Sequence, residues 1–187
     1  MNVCRVIKLC LVVYVQYFVN IISVSSTENL SRKPTTNVSQ NSMYLQRKAT
    51  YANDGNLNTT LDYCAHTAVN QSKAWFQVDL GKPHKINNIK IYYRREGDGD
   101  KDWKQYRFRN FYLDVSDSPA SETITTQRTR CYTDISIGSA LPNNIIDIPC
   151  EHRARYIIVE STYKAPEDTK STGPILEICE IEVYGGK

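Results

Sequence analysis

The chain has 187 residues, of which 41% are hydrophobic and 23% are charged, and its formal net charge is +3 at pH 7. This length suits one domain with accessory segments. So small a net charge does not imply a partner that is recognised by overall charge, such as nucleic acid or a polyanion. Clusters of arginine and lysine therefore have to be interpreted locally.

Residues 1–26 have the pattern of a secretory signal peptide. Arg5 and Lys8 give a basic start, and a mostly apolar stretch follows from Leu9 to Val24. This stretch is shorter than the roughly 20 residues that a membrane-spanning helix requires. We therefore predict that the segment is cleaved and that the mature protein is secreted and soluble. Loss of Arg5 and Lys8 lowers the formal charge from +3 to +1.

The rest of the chain alternates short strand patterns with turn residues, and no segment shows a long helical period. Thirteen tyrosines and many β-branched residues also favour strands. Gly81 with Pro83, and Pro149, are predicted to end two of the strands. Strands at this spacing predict an all-β fold, an antiparallel β-sandwich with Greek-key or jelly-roll connections. The predicted strands are Trp75–Leu80, Ile89–Tyr93, Phe111–Val115, Ile145–Ile148, Arg155–Glu160 and Ile178–Tyr184.

Four cysteines follow the signal: Cys64, Cys131, Cys150 and Cys179. An even number in an oxidising compartment predicts two disulfides, for which three pairings are possible. Cys131 and Cys150 flank a polar segment that contains proline and glycine, so we expect them to pair locally. This leaves Cys64 to pair with Cys179. The chain has no CxxC pair after the signal, which argues against a zinc site.

Four N-glycosylation sequons begin at Asn29, Asn37, Asn58 and Asn70. Behind a signal peptide, such triplets are typical of a surface-exposed, extracellular product. We therefore expect a secreted glycoprotein.

Several motifs resemble those of one family. Trp75–Gly81 (WFQVDLG) resembles a strand of discoidin-type domains, and Ala52–Asn56, Cys64–His66 and Cys179–Val183 are similar to motifs of the F-type lectins, or fucolectins. The resemblance extends over about residues 29–185. It implies a discoidin-like β-jelly roll that binds L-fucose with calcium bound nearby. We therefore predict an F-type lectin-like, fucose-binding-type domain over residues 27–185.

The resemblance implies a sugar site made of a histidine, an arginine, an acidic residue two positions further on, and a second basic residue. His66 matches the histidine, Arg94 the arginine, and Glu96 the acidic residue, which is usually Asp in the family. Spacing from the preceding strand places the last basic residue at Lys101. Counting back from the following strand points to Arg107 instead, because this loop is longer than usual, and both alternatives stay open.

Charged donors of this kind suit the hydroxyl groups of a neutral sugar. Fucose also carries a methyl group, which an aromatic wall would favour. Several family members have two adjacent cysteines in the loop, where this chain has Gly97 and Asp98, so Trp103 or Tyr106 would supply the wall. Shallow sites bind weakly, and we expect several copies to act together, in a homo-oligomer or in a larger modular protein.

The resemblance also implies a structural calcium ion. Calcium takes about six to eight oxygen ligands, often backbone carbonyls from a turning loop. A serine is usual where this chain has Tyr63, so only the backbone of Tyr63 would serve. We expect the ion to order the loop that carries His66. The ligands implied are the carbonyls of Tyr51, Asn56 and Cys179, a backbone oxygen at Tyr63, and the carboxylates of Asp54 and Glu180.

The sequence contains no motif that indicates catalysis. It has three histidines and no HExxH, GxSxG, P-loop or GxGxxG pattern. We therefore predict a lectin-like domain rather than an enzyme, binding fucosylated glycans or glycoproteins in innate recognition or cell adhesion, with no nucleic acid and no membrane insertion.

Three alternatives remain. The first is an extracellular protein-interaction module of the same fold with a degraded sugar site, which the longer loop favours. The second is a binder of membrane lipids, for which Trp103 is the one obvious apolar spike. The third is an accessory domain of a glycosidase.

Overall fold

A computed structural model describes residues 27–96 and 103–186. The predicted signal peptide, and the candidate sugar contact Lys101, lie outside the described residues. The described residues contain short 3₁₀ turns and no α-helix, and none of these helical segments is long and apolar enough to cross a membrane. The strands are β1 (Glu28–Asn29), β2 (Asn37–Gln40), β3 (Ala65–His66), β4 (Ala74–Tyr93), β5 (Phe111–Ser116), β6 (Thr129–Thr133), β7 (Ile145–Ser161) and β8 (Glu177–Gly186).

Two long strands, β4 and β7, belong to both layers of the fold. Residues 74–79 of β4 pair with β2 and with residues 156–161 of β7. Residues 84–92 pair with residues 145–154 of β7, and residues 85–93 pair with β8. The register of β4 on β7 is interrupted between Asp79 and His84, where Gly81 has φ of +79°. Glycine adopts this backbone conformation without steric cost, so the strand can bend here.

The predicted strand ends at Gly81 with Pro83, and at Pro149, are therefore wrong. Both strands continue through these residues. Pro149 lies opposite Asn88, at a second register shift between β4 and β7. Proline is tolerated at such irregularities because fewer ladder hydrogen bonds are required of it there.

The complete strand order is β1-β8-β4-β7-β5-β6, with β2 paired to β4 and β3 paired to β8, and every pairing is antiparallel. The core contains side chains from both halves of β4, among them Phe76, Val78, Ile89 and Ile91, all of them buried. The fold is thus the predicted antiparallel β-sandwich. Burial of these apolar groups contributes about 1.5–3 kcal/mol for each large side chain.

Both predicted disulfides are present. Cys64–Cys179 joins the residue after a 3₁₀ turn (Leu61–Tyr63) to β8, and Cys131–Cys150 joins β6 to β7. The two bridges close loops of very different size, because the paired residues are 115 and 19 positions apart.

The longer bridge should contribute more to stability. In the chain-entropy treatment the two loops correspond to about 5 and about 3 kcal/mol. We expect the Cys64→Ala/Cys179→Ala variant to lose more free energy of unfolding than the Cys131→Ala/Cys150→Ala variant, as measured by urea denaturation. Equal losses, or the reverse order, would contradict a stabilisation set by loop length.

Candidate functional site

Four parts of the chain meet at one end of the sandwich. They are the end of β3 with His66, the residue after β4, which is Arg94, a 3₁₀ turn (Trp103–Arg107), and the start of β8 with Glu177. His66 is the register partner of Glu177, and the backbone N–H of Arg94 donates to the Glu177 carbonyl over 3.0 Å. Backbone pairing to β8 therefore fixes two of the candidate sugar contacts.

The carboxylate of Glu177 contacts the side chains of His66, Arg94 and Arg107. We call these four residues the sugar cluster. His66 Nε2 lies 3.1 Å from Oε1, and Arg94 Nη1 donates to the same oxygen over 2.5 Å. Arg107 Nη1 donates to Oε2 over 3.3 Å. Because Glu177 is only 2% exposed, this carboxylate is a buried anchor that holds three converging side chains.

Each arginine is held by a second carboxylate as well. Arg94 donates from Nε and Nη2 to Glu96 Oε1, over 2.8 and 2.5 Å. Arg107 donates from Nε to Asp168 Oδ2 over 2.9 Å, and the Ser171 hydroxyl donates to that same carboxylate. A guanidinium has five N–H bonds, so each arginine keeps N–H groups that these carboxylates do not use. These carboxylates fix both arginines, and the Arg107 side chain is the more exposed of the two, at 11% against 4% for Arg94.

The imidazole of His66 is placed between two acceptors. Nδ1 lies 2.6 Å from the Thr67 carbonyl oxygen, and Nε2 faces Glu177. The Tyr44 ring stacks on the imidazole with centroids 4.6 Å apart, which fixes its plane.

The ion pairs of the cluster shift the pKa values of Glu177 and Arg94. Burial alone would raise the pKa of Glu177, but the hydrogen bond and charge of His66, together with the charges of Arg94 and Arg107, lower that pKa to about 2. Burial opposes the charge on Arg94, yet Glu177 and Glu96 raise its pKa above the ordinary value. Glu177 therefore stays ionised.

Aromatic rings line the cluster on two sides. Trp103 lies over the Arg107 guanidinium at 4.9 Å, while Tyr44 covers His66. Tyr106 lies instead over Arg109, at 4.8 Å. Of the two aromatic residues proposed as the wall, Trp103 is the one in contact with the cluster.

The structure thus brings together four predicted sugar contacts: His66, Arg94, Glu96 and Arg107. Sequence reasoning missed Glu177. The register of β8 on β4 shifts between Ile178 and Glu180, so the core-facing residues are Ile178, Ile181 and Val183, and simple alternation does not locate Glu177. Tyr44 and Asp168 lie in loops and gave no signal either.

The candidate calcium ligands lie on two 3₁₀ turns beside β8 and on the loop between them. Tyr51 is in the first turn (Ala49–Asn53), Asp54 and Asn56 follow it, and Tyr63 ends the second turn. The Cys64–Cys179 bridge ties the second turn to β8, next to Glu180. Tyr63 is 41% exposed.

Glu180 lies beside the first of these turns. The Gly55 N–H donates to Oε2 over 3.1 Å, and Asp54 is close enough to act on the Glu180 charge. Burial raises the pKa of Glu180 to about 7, with Asp54 and Glu182 adding to the rise, while Gly55 and Arg32 oppose it.

Two buried oxygen atoms next to β8 bear on whether a calcium ion fits between Glu180 and the first 3₁₀ turn. Asn53 Oδ1 and Glu180 Oε1 accept no hydrogen bond. Arg32 forms an ion pair with Glu180, with Nη2 lying 2.9 Å from Oε1, and the Arg32 side chain is partly exposed. No group of three acidic, histidine or cysteine side chains with metal-binding spacing occurs in the described part of the chain. Two carboxylates with backbone carbonyls nonetheless fit the oxygen preference of calcium.

Comparison with known proteins places this geometry in a class of carbohydrate-binding domains. The sequence matches the NedA-like, galactose-binding domain family of the F5/F8 type C group over residues 51–159, more than half of the chain. The chain belongs to this family. No curated protein matches the sequence.

Solved structures of the same fold include three proteins named for fucose or lectin function. A fucolectin from striped bass (Morone saxatilis) serum has 23% identity and a TM-score of 0.64 over 86% of this chain and 48% of its own. The lectin domain of lectinolysin, complexed with Lewis b antigen, has 26% identity and a TM-score of 0.60 over 86% and 98%. A Streptococcus pneumoniae fucose-binding module has 21% identity and a TM-score of 0.60 over 86% and 99%.

This chain therefore spans about half the length of the striped bass fucolectin. The resemblance to F-type lectins and the discoidin-like fold are both confirmed. The family and these neighbours are carbohydrate-binding modules rather than enzymes, as the sequence predicted.

Removal of the Glu177 charge should destabilise the domain. Glu177→Gln removes the buried negative charge that Arg94 and Arg107 share, and breaking a buried ionic group of this kind costs about 3–5 kcal/mol. Glu96→Gln is the matched control, because Glu96 is more exposed and Arg94 keeps Glu177 as a partner, so we expect a cost of about 1 kcal/mol. Urea denaturation measures both; equal costs would show that Glu177 is not the anchor of the cluster.

Proposed function

We propose that this chain is a secreted, calcium-stabilised lectin-like domain that binds L-fucose-containing glycans. The observation that carries the proposal is the convergence of His66, Arg94 and Arg107 on one carboxylate at the end of the sandwich. A family of galactose-binding domains, and neighbours described as fucolectins and fucose-binding modules, support a sugar as the ligand.

The cluster has the chemistry that a neutral sugar needs. Two guanidinium groups with unused N–H bonds can donate to adjacent hydroxyls, and hydrogen bonds from charged donors contribute about 1.5–3 kcal/mol each. Because carboxylates already fix the donors, little conformational entropy is lost on binding. Trp103 and Tyr44 offer apolar surface for the methyl group of fucose.

Fucosylated glycans or glycoproteins are the partners that follow, in innate recognition or cell adhesion. Two disulfides are typical of an oxidising, extracellular compartment. Avidity from several copies, as a homo-oligomer or within a larger modular protein, would raise the affinity of a shallow site.

Glycan binding should depend on the residues of the cluster. On a glycan array with calcium present, we expect fucose-terminated glycans to bind, and His66→Ala and Arg107→Ala each to weaken binding by about tenfold or more, since each removes a charged donor. Arg107 is a suitable target because it lies at the edge of the cluster, with its side chain 11% exposed.

Arg95→Ala is the matched control for this experiment. Arg95 is next to Arg94, but it donates to the Tyr93 hydroxyl and the Pro142 carbonyl rather than to Glu177. Its loss should leave glycan binding unchanged. Binding that survives both His66→Ala and Arg107→Ala would move the sugar site elsewhere on the domain.

The second candidate function is an extracellular protein-interaction module with a degraded sugar site. One observation favours it: Glu177 already accepts hydrogen bonds from the groups that would hold the sugar. In this case the cluster is an internal ion-pair network with a structural role. A folded, calcium-loaded domain that binds no glycan on the array would favour this function over the first.

Calcium should stabilise the domain through Asp54 and Glu180. A ligand at a hundred times its Kd adds about 2.7 kcal/mol to the free energy of unfolding. We expect calcium to raise the Tm and a chelator to lower it, and Asp54→Asn to remove most of that difference. Asp62→Asn is the control, because Asp62 is an exposed carboxylate on the neighbouring turn that pairs with Arg47. Identical unfolding with calcium and with chelator would reject the ion.

A further inference from the structure

A second polar site lies at the opposite end of the sandwich. β8 starts at Glu177 in the sugar cluster and ends at Gly186, which is paired with Lys85. Its ten residues separate the two ends by about 30 Å. At the far end, beside the bend of β4, a cavity of about 660 Å³ is lined by Glu28, Lys33, Lys82, His84 and Arg153, among others.

The charge of this cavity is strongly positive. Of the lining residues, Glu28 is the single carboxylate, and Lys33 already pairs with it at 2.8 Å. Lys82 and Arg153 form no ion pair with any residue that the structure describes. Lys82 and Arg153 therefore line the cavity without an ion-pair partner among the described residues. The overall charge of the chain, by contrast, is nearly balanced.

His84 provides an independent sign of a missing ligand. The residue is only 5% exposed, and its Nε2 atom is buried without a hydrogen-bond partner. Burial, followed by the charges of Lys33 and Lys82, lowers the pKa of His84, while Glu28 and a hydrogen bond with the Gly186 backbone oppose the shift. Buried polar atoms normally have a partner, and an anion in the cavity would supply one.

The strand pairing extends this positive surface. Lys85 of β4 lies directly opposite Arg153 of β7, and like charges in that relation destabilise a sheet. A second cavity of about 450 Å³ is lined by Lys85, His152 and Arg153 with Glu151 and Pro83, and it shares Pro83 and Arg153 with the first. Two adjoining basic cavities fit a ligand with more than one anionic group.

We propose that these two cavities form a second carbohydrate site, which binds neighbouring sulfate groups of an acidic polysaccharide. The site is separate from the sugar cluster and does not depend on the function proposed for it. Lys82, Arg153 and Lys85 provide the charged donors, and His84 donates from Nε2 once the ring takes up a proton. Binding of the anion therefore favours uptake of a proton by His84, and protonation of His84 favours binding of the anion.

The direct test uses a size-defined, fully sulfated heparin oligosaccharide and its desulfated form, in calorimetric titrations of the full mature chain. We expect the sulfated form alone to bind, and Lys82→Ser/Arg153→Ser to weaken binding by about tenfold or more. Both residues are exposed, so the variant should fold. Lys48→Ser/Lys164→Ser is the matched control, because it removes two exposed lysines outside the cavities and lowers the net charge equally.

Three further measurements separate the possible ligands and sites. Binding should strengthen as the pH falls from about 8 to about 6, and His84→Gln should reduce this dependence, while His152 remains in the second cavity. The groups facing that imidazole are Glu28, Lys33, Lys82, Arg153 and the Gly186 backbone. Arg107→Ala should leave binding of the sulfated oligosaccharide unchanged, so failure of the sugar cluster and failure of this site are distinguishable. Inorganic sulfate should compete only weakly, because it offers one anionic group.

Several outcomes would overturn the proposal. They are no binding of the sulfated oligosaccharide, equal weakening in the Lys48→Ser/Lys164→Ser control, and no difference between the sulfated and desulfated forms. Binding only to vesicles that contain an anionic phospholipid would assign the basic surface to membranes instead.

Discussion

The candidate sugar site depends on one interaction, the contact of the buried Glu177 carboxylate with the side chains of His66, Arg94 and Arg107. Because His66 is its register partner and Arg94 is bonded to its backbone, the contact joins β3, β4 and β8 at one point. Arg107 connects the 3₁₀ turn Trp103–Arg107 to the same carboxylate. The same carboxylate explains why side chains that would repel each other in isolation can lie together in a buried place. It also decides between the two candidate functions, since a sugar must either use the N–H groups that Glu177 leaves or compete with it.

Much of the fold could be predicted because its signals are local. Alternation of apolar residues, the WFQVDLG strand and the spacing of four cysteines each report on a few neighbouring residues, and together they predict the sandwich and both disulfides. The continuity of β4 and β7 could not be predicted in this way. Glycine and proline usually end strands, but here both strands continue through Gly81 and Pro149, because the pairing of β4 with β7 shifts register at these residues. Tertiary pairing overrides local preference at these two places.

The sites were predicted less completely, for a related reason. The resemblance to the F-type lectins identified His66, Arg94 and Glu96, which lie in β3 or just after the end of β4. Whether Lys101 or Arg107 completes the set depends on the path of a long loop, which local pattern does not determine; the structure places Arg107 in the cluster. The basic cavities were harder still, because their residues come from three distant parts of the chain and the net charge gives no hint of them.

The position of β8 has a consequence for how the domain could act. This strand is hydrogen-bonded along its length and carries a proposed ligand site at each end. Its two ends therefore cannot approach each other or change orientation. A single copy with both sites filled would act as a rigid spacer, which holds a fucosylated surface on one side and an acidic matrix on the other. Adhesion could then arise from one chain, without self-association.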